Sequence, residues 1–129
     1  ARSAEKRKIR VLVVDDSLTS RLVLRNVLEQ AGYQVDLAES GMETLEKMEK
    51  KDYALFLVDI EMPGIDGLEL TKRIRTSPKT RRIPVIIVST RSAEEDKRKG
   101  IEVGAQGYMV KSKFDPQELL KMIKHLIGE

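Results

Sequence analysis

The feature that constrains this chain most is an alternation. Five short apolar runs, at residues 9–14, 33–38, 53–58, 84–88 and 107–110, are each followed by a segment that reads as a helix. Runs this short, rich in β-branched side chains and bounded by turn residues, suit strands better than helices. The helix starts carry their own signatures. Ser40…Glu43 and Ser92…Glu95 read as capping boxes, and Asp66 is a cap with Glu69 three residues on. Asp115-Pro116-Gln117-Glu118 combines a cap, a proline at the first helical position and a following glutamate. Leu24, Val27, Leu28 and Ala31 form an apolar stripe in the first helix, over 17–31, with Gly32 placed to end it. Leu119, Leu120, Ile123, Leu126 and Ile127 do the same in the last.

Repeated strand–helix alternation implies an α/β domain with a parallel sheet and helices on both faces. The first, third and fourth runs are continuously apolar, as strands covered on both faces must be. The second alternates Tyr33, Val35 and Leu37 with Gln34 and Asp36, which marks an edge. The fifth is short and contains Gly107, which marks the other edge. The expected order is 2-1-3-4-5, doubly wound and flavodoxin-like, with its switch point between the first and third strands.

Length and charge narrow the classes. A chain of 129 residues is one expected domain, long enough to bury a core without disulfides. The absence of cysteine fits a reducing compartment. The formal charge is +3, but Arg2, Lys6, Arg7, Lys8 and Arg10 against Glu5 concentrate it at the start. Residues 1–8 therefore read as a basic linker or tail, and 9–127 as the domain. The domain has no basic bias of the kind nucleic-acid binding needs, and 4% aromatic content argues against a base-stacking platform. No signal peptide and no membrane-spanning run is visible, so the expected location is the cytoplasm.

Strand ends carry the chemistry. Read at their C-termini, the strands other than the second present Asp15-Asp16, Asp59, Ser89-Thr90 and Lys111. In an open α/β sheet this rim is where ligands bind. Taken singly, each has a plain explanation: a helix cap, loop polarity, surface charge. Together, three carboxylates about 5 Å apart would repel by roughly 3 kcal/mol per pair at an effective dielectric near 20. One must stay protonated or a cation must sit among them. An all-oxygen site suits Mg²⁺, with Mn²⁺ as a variant, better than zinc. A carboxylate nucleophile, a divalent ion, an ammonium and a hydroxyl make a phosphoryl-transfer site. The single histidine, His125, falls on the last helix and reads as a surface residue.

In combination these motifs resemble the receiver domains of two-component response regulators. The resemblance spans residues 9–127 and rests on Val-Val-Asp-Asp-Ser at 13–17, Leu-Val-Asp-Ile-Glu-Met-Pro-Gly-Ile-Asp-Gly at 57–67, Pro-Val-Ile-Ile-Val-Ser-Thr at 84–90 and Gly-Tyr-Met-Val-Lys at 107–111. It implies that Asp59 accepts a phosphoryl group from a histidine kinase or phosphotransfer domain. Asp16, Asp59 and the Glu61 backbone carbonyl would hold Mg²⁺ directly, and Asp15 through water. Ser89 and Lys111 would hold phosphoryl oxygens, with Ile60 and Thr90 as neighbours of the phosphoryl group and Tyr108 as the switch aromatic. The domain would be primarily a signalling switch that carries out its own phosphorylation and slow dephosphorylation. Its downstream protein would dock on the fourth helix, fifth strand and fifth helix. A narrower resemblance, from Asp-Ser-Leu-Thr-Ser-Arg at 16–21 and Lys-Ser-Lys-Phe-Asp-Pro-Gln-Glu-Leu-Leu at 111–120, is to receivers fused C-terminal to chemotaxis-type histidine kinases, which would put the kinase in the same chain.

Two residues depart from the family pattern. Ser112 stands where proline often follows the site lysine, so a cis bond there would cost about 3 kcal/mol and is not expected. Thr90 stands where alanine or glycine is common and narrows access to the phosphoryl group. A haloacid-dehalogenase-like phosphatase would want a second aspartate where Glu61 stands, together with a cap insertion. A pseudo-receiver, working only as a binding module, would lack part of the acidic cluster or the lysine. A flavodoxin would need a phosphate-binding loop where Asp15 and Asp16 would repel the ligand.

Overall fold

A computed structural model describes residues 9–128. The strands are β1 (Arg10–Val14), β2 (Gln34–Ala38), β3 (Leu55–Val58), β4 (Val85–Ser89) and β5 (Gly107–Val110). The helices are α1 (Leu18–Gln30), α2 (Gly41–Lys50), α3 (Gly67–Thr76), α4 (Glu94–Glu102) and α5 (Pro116–Ile127), with a 3-10 turn at Lys111–Lys113. The strands form one parallel sheet in the order β2-β1-β3-β4-β5, as the strand textures predict. The basic segment at 1–8 lies outside the described residues.

Alternating side chains of each central strand feed two separate cores, because successive strand residues point to opposite faces. Leu12, Val14, Phe56, Val58 and Ile87 face Leu70 and Ile74 of α3 and Met48 of α2. Val11, Val13, Leu55, Leu57 and Ile86 face Leu24 and Leu28 of α1 and Leu119 and Ile123 of α5. Burial of each such side chain contributes about 1.5–3 kcal/mol before entropy is counted. The sheet is therefore clamped between helix layers, and its C-terminal rim is the free side on which loops gather.

The caps explain most helix starts. Ser17, Ser40, Asp66 and Asp115 each accept a backbone N–H of the first turn. The fourth helix corrects the capping-box expectation at Ser92. Its cap position is Ala93, which has no side-chain acceptor, and Ser92 lies one residue outside the helix. Glu94, Glu95 and Asp96 in the first turn supply the compensation, since carboxylates there favour the positive end of the helix dipole.

Candidate functional site

The switch point of the sheet lies between β1 and β3, and the chain delivers three carboxylates to it. Asp15 follows β1 directly, and the Asp59 N–H donates to the Val14 carbonyl at 2.9 Å, which ties the end of β3 to the end of β1. Gly67 holds the loop after Asp59 in place. Its N–H donates to the Ile60 carbonyl at 2.8 Å, and a Cβ at this position would run into the Asp59 carbonyl. One oxygen from each of Asp15, Asp16 and Asp59 lies within 4.8 Å of the others. Asp15 and Asp59 are buried, while Asp16 is exposed.

Lys111 faces this cluster from the end of β5. Its ammonium sits 2.7 Å from Asp15 Oδ2 and 3.5 Å from Asp59 Oδ2. The contact with Asp15 Oδ2, at a buried oxygen, is short enough for a charge-assisted bond. Burial, reinforced by the neighbouring charge of Asp15, pushes the Asp59 carboxyl up to about 6, against the pull of Lys111. Burial draws Lys111 down, but Asp15 and Asp59 outweigh it and leave the ammonium above its usual range.

These facts fit a hard divalent cation. The donors are all oxygen, and two of the three carboxylates are buried. A cation there would lower the Asp59 carboxyl that burial and the Asp15 charge have raised. Around the cluster opens a cleft of about 670 Å³ lined by Asp16, Asp59, Ile60, Glu61, Met62, Pro63, Gly64, Asp66, Thr90 and Arg91.

Of the residues singled out in the sequence, Asp15, Asp16, Asp59 and Lys111 converge. Ile60 reaches the cleft although its side chain is fully buried in the core. Thr90 is exposed on the cleft wall and donates to Glu61 Oε1 at 3.4 Å. Ser89 is fully buried at the end of β4, and its hydroxyl accepts the Arg91 N–H at 3.2 Å. Tyr108 lies off the cleft, half-buried, and its hydroxyl donates to the Arg91 carbonyl at 2.8 Å. The peptide bond after Lys111 is trans, and Ser112 sits within the 3-10 turn.

Three residues escaped the sequence reading. Ser20 accepts a hydrogen bond from Lys111 at 3.2 Å. Arg21, buried on α1, donates to the Asp15 carbonyl at 2.6 Å and pairs with Glu39 at 3.4 Å. Arg91 pairs with Glu61 at 3.2 Å and Asp96 at 3.6 Å. Arg21 was findable: it continues the buried Leu24–Leu28 stripe one turn toward the helix start, and a charge on a buried stripe must have a partner.

Comparison with known proteins agrees with the geometry. Residues 11–124 match the family model of the response regulator receiver domain. Protein PilH of Pseudomonas aeruginosa is 41% identical, over 92% of this chain and 98% of that protein. The gliding motility regulatory protein of Myxococcus xanthus is 38% identical over 93% of this chain but only 15% of its own length. Two further relatives are likewise spanned only in part, 55% and 48% of their length. Among solved structures, the receiver domain of a sensor histidine kinase from Pseudomonas aeruginosa PAO1, with a magnesium ion coordinated in its active site cleft, superposes with a TM-score of 0.85 at 27% identity, over 94% of this chain and 98% of that one. The chain belongs to the response regulator receiver domain family, the CheY-like receivers of two-component signalling.

Proposed function

We propose that Asp59 is the phosphoacceptor, taking a phosphoryl group from a phosphohistidine on a histidine kinase or phosphotransfer domain, in the same chain or a separate one. The observation that carries this reading is the meeting of the Asp15, Asp16 and Asp59 carboxylates with the Lys111 ammonium at the switch point. Asp16, Asp59 and the Glu61 backbone carbonyl would hold Mg²⁺, or Mn²⁺ in its place, with Asp15 acting through water. When bound, the ion would neutralise charge on the transferring phosphoryl oxygens. The carboxylate of Asp59 attacks phosphorus: a P–O bond forms, the P–N bond breaks, and its electron pair returns to the imidazole nitrogen. Lys111 steadies the oxygens of the transferred group by charge, and Ser89 offers a hydroxyl.

The resulting aspartyl phosphate would act through Ser89 and Tyr108 on the face built from α4, β5 and α5, where a downstream protein would dock. The work of such a domain is cytoplasmic. Among the described residues no helix is long and apolar enough to cross a membrane. The narrower motif likeness to receivers of chemotaxis-type kinases favours a phosphorelay partner of that type.

The test is direct. Incubation with acetyl phosphate and Mg²⁺ should add one phosphoryl group that hydroxylamine removes, since hydroxylamine cleaves acyl phosphates and spares phosphate esters. Asp59→Asn should take up none, and Asp16→Asn should bind Mg²⁺ far more weakly while keeping the fold. Labelling at Ser89, Asp15 or Asp16 would overturn the assignment.

A further inference from the structure

The cleft that leads to Asp59 is strongly acidic. Four carboxylates line it, from Asp16, Asp59, Glu61 and Asp66, and Arg91 is the one cation among its described lining residues. Lys111 lies deeper and is already engaged by Asp15. Any small phosphodonor is an anion and must pass this field. Arg91 is held across the mouth by two partners: its Nε is 3.2 Å from Glu61 Oε1, and its Nη1 is 3.6 Å from Asp96 Oδ1. Side chains of Arg91 and Glu61 are 42% and 55% exposed. Ion pairs this exposed add little to stability. Fold maintenance is therefore a weak account of this one.

The backbone of Arg91 is tied as closely as its side chain. Its N–H is bonded to Ser89 Oγ and its carbonyl to the Tyr108 hydroxyl. One residue thus joins the β3–α3 loop, the end of β4, α4 and β5.

We propose that Arg91 is the residue that receives small anionic phosphodonors, the acyl phosphates, at the mouth of the cleft, and that Glu61 restrains it by competing for the guanidinium. A planar guanidinium that can pair with two phosphate oxygens suits this task better than an ammonium. Glu61 sets the cost: the donor must displace its carboxylate before Arg91 can turn to phosphate. The inference rests on Asp59 as phosphoacceptor. The chemistry is transfer from acetyl phosphate: the Asp59 carboxylate oxygen bonds to phosphorus, the bond from phosphorus to the acetate oxygen breaks, and acetate leaves with the electron pair.

The test is the second-order rate of Asp59 phosphorylation by acetyl phosphate with Mg²⁺, measured at low and high ionic strength. Glu61→Gln frees Arg91 and should speed the reaction about two- to fivefold, the scale of one partly exposed charge interaction. Arg91→Ala should slow it by a similar factor and flatten its salt dependence, because the attracting charge is gone. Arg91→Lys should recover part of the rate and most of the salt dependence. A wild-type rate and salt slope in Arg91→Ala, or a slower Glu61→Gln, would overturn the proposal. If Arg91→Ala does not fold, Glu61→Gln and Arg91→Lys still decide it. A wild type that takes up no phosphoryl group at Asp59 would sink the phosphoacceptor reading along with this one, whereas labelling of wild type with identical variants would sink this one alone.

Discussion

Two tyrosines brace opposite edges of the sheet, and they do it differently. Tyr53, just before β3, is 5% exposed and donates its hydroxyl to Asp36 on edge strand β2 at 2.8 Å. Asp36 also receives Arg10 at 3.3 Å and Lys51 at 3.4 Å. Tyr108 on β5 is half-buried and donates to a loop carbonyl, that of Arg91. The first bond is charge-assisted, half-buried and part of a network; the second is neutral, exposed and ends on a loop. Charged acceptors make such bonds roughly twice as strong. The helix beside Tyr108 is loose as well: α4 has no side-chain cap and buries only Gly100, whereas α3 is capped by Asp66 and buries Gly67, Leu70, Thr71 and Ile74. The β2 edge is therefore held by more and stronger contacts than the β5 edge.

The largest expected effect tests whether the loose edge is wired to the site. A phosphoryl oxygen offers Ser89 a charge-assisted bond of about 1.5–3 kcal/mol, which shifts a two-state population roughly ten- to a hundredfold. If Ser89 is drawn toward it, the Arg91 N–H would lose its acceptor and, through the Arg91 carbonyl, the anchor of Tyr108 would be disturbed. Phosphorylated Ser89→Ala should keep its phosphoryl group yet show little chemical-shift change at Tyr108 and residues 91–103. Shifts matching those of the phosphorylated parent would remove Ser89 from the path.

Next come the tyrosines themselves. Tyr53→Phe leaves a half-buried carboxylate short of one donor and should cost about 1.5–2 kcal/mol in urea denaturation. Tyr108→Phe removes a neutral bond that water can replace and should cost about 0.5 kcal/mol. Equal losses would erase the contrast between the edges.

A pH titration separates the same β2 edge from the acidic site. Burial pushes Asp36 up, but the Tyr53 hydroxyl, Arg10 and Lys51 outweigh it and hold the carboxyl below its ordinary value. A depressed acid contributes stability above its unfolded value, near 3.9, that is lost as pH falls through the folded one. Asp59, raised to about 6, has the opposite sign: its contribution is complete below the unfolded value and is lost as pH rises through about 6. In Mg²⁺-free buffer, stability should therefore rise from pH 7.5 toward pH 5 and fall below pH 4. Asp59→Asn should remove the rise and Asp36→Asn soften the fall. A flat profile between pH 7.5 and 5 in the parent would mean that neither burial nor the neighbouring Asp15 raises the Asp59 carboxyl.

How much of this was legible beforehand follows from where each feature is encoded. Strand order was readable because burial on both faces leaves a continuous apolar run in β1, β3 and β4, while Asp36 interrupts the edge strand. The acidic cluster was readable because strand ends share one rim whatever the loops do. Arg21, Ser20 and Arg91 were not read, since their roles depend on how α1 and the β4–α4 loop turn toward that rim. The start of α4 was misplaced by one residue because Ser92 and Ala93 compete for the cap, and the loop geometry favoured the residue without an acceptor. The contrast between the two tyrosines was invisible for a similar reason: both precede or occupy apolar runs, and only the fold sets a carboxylate beside one and a carbonyl beside the other.

The smallest expected effect bears on how loosely α4 is held. A Cβ at Gly100 would sit 2.9 Å from Ile87 Cδ1 and 3.2 Å from Tyr108 Cδ2. Both atoms belong to side chains, and the tyrosine ring has solvent to move into. Replacing glycine inside a helix by alanine gains about 1 kcal/mol of propensity, which offsets much of the crowding. Gly100→Ala should therefore change stability by less than about 1 kcal/mol in either direction while displacing the Tyr108 ring outward, visible as altered ring proton shifts in the unphosphorylated protein. It should also weaken the phosphorylation-dependent shift at Tyr108, because the added methyl fills the space between α4 and the ring. A loss as large as that of Tyr53→Phe would mean that α4 is held as rigidly as α3, and the asymmetry between the two edges would then have to reside in the tyrosine hydroxyls alone.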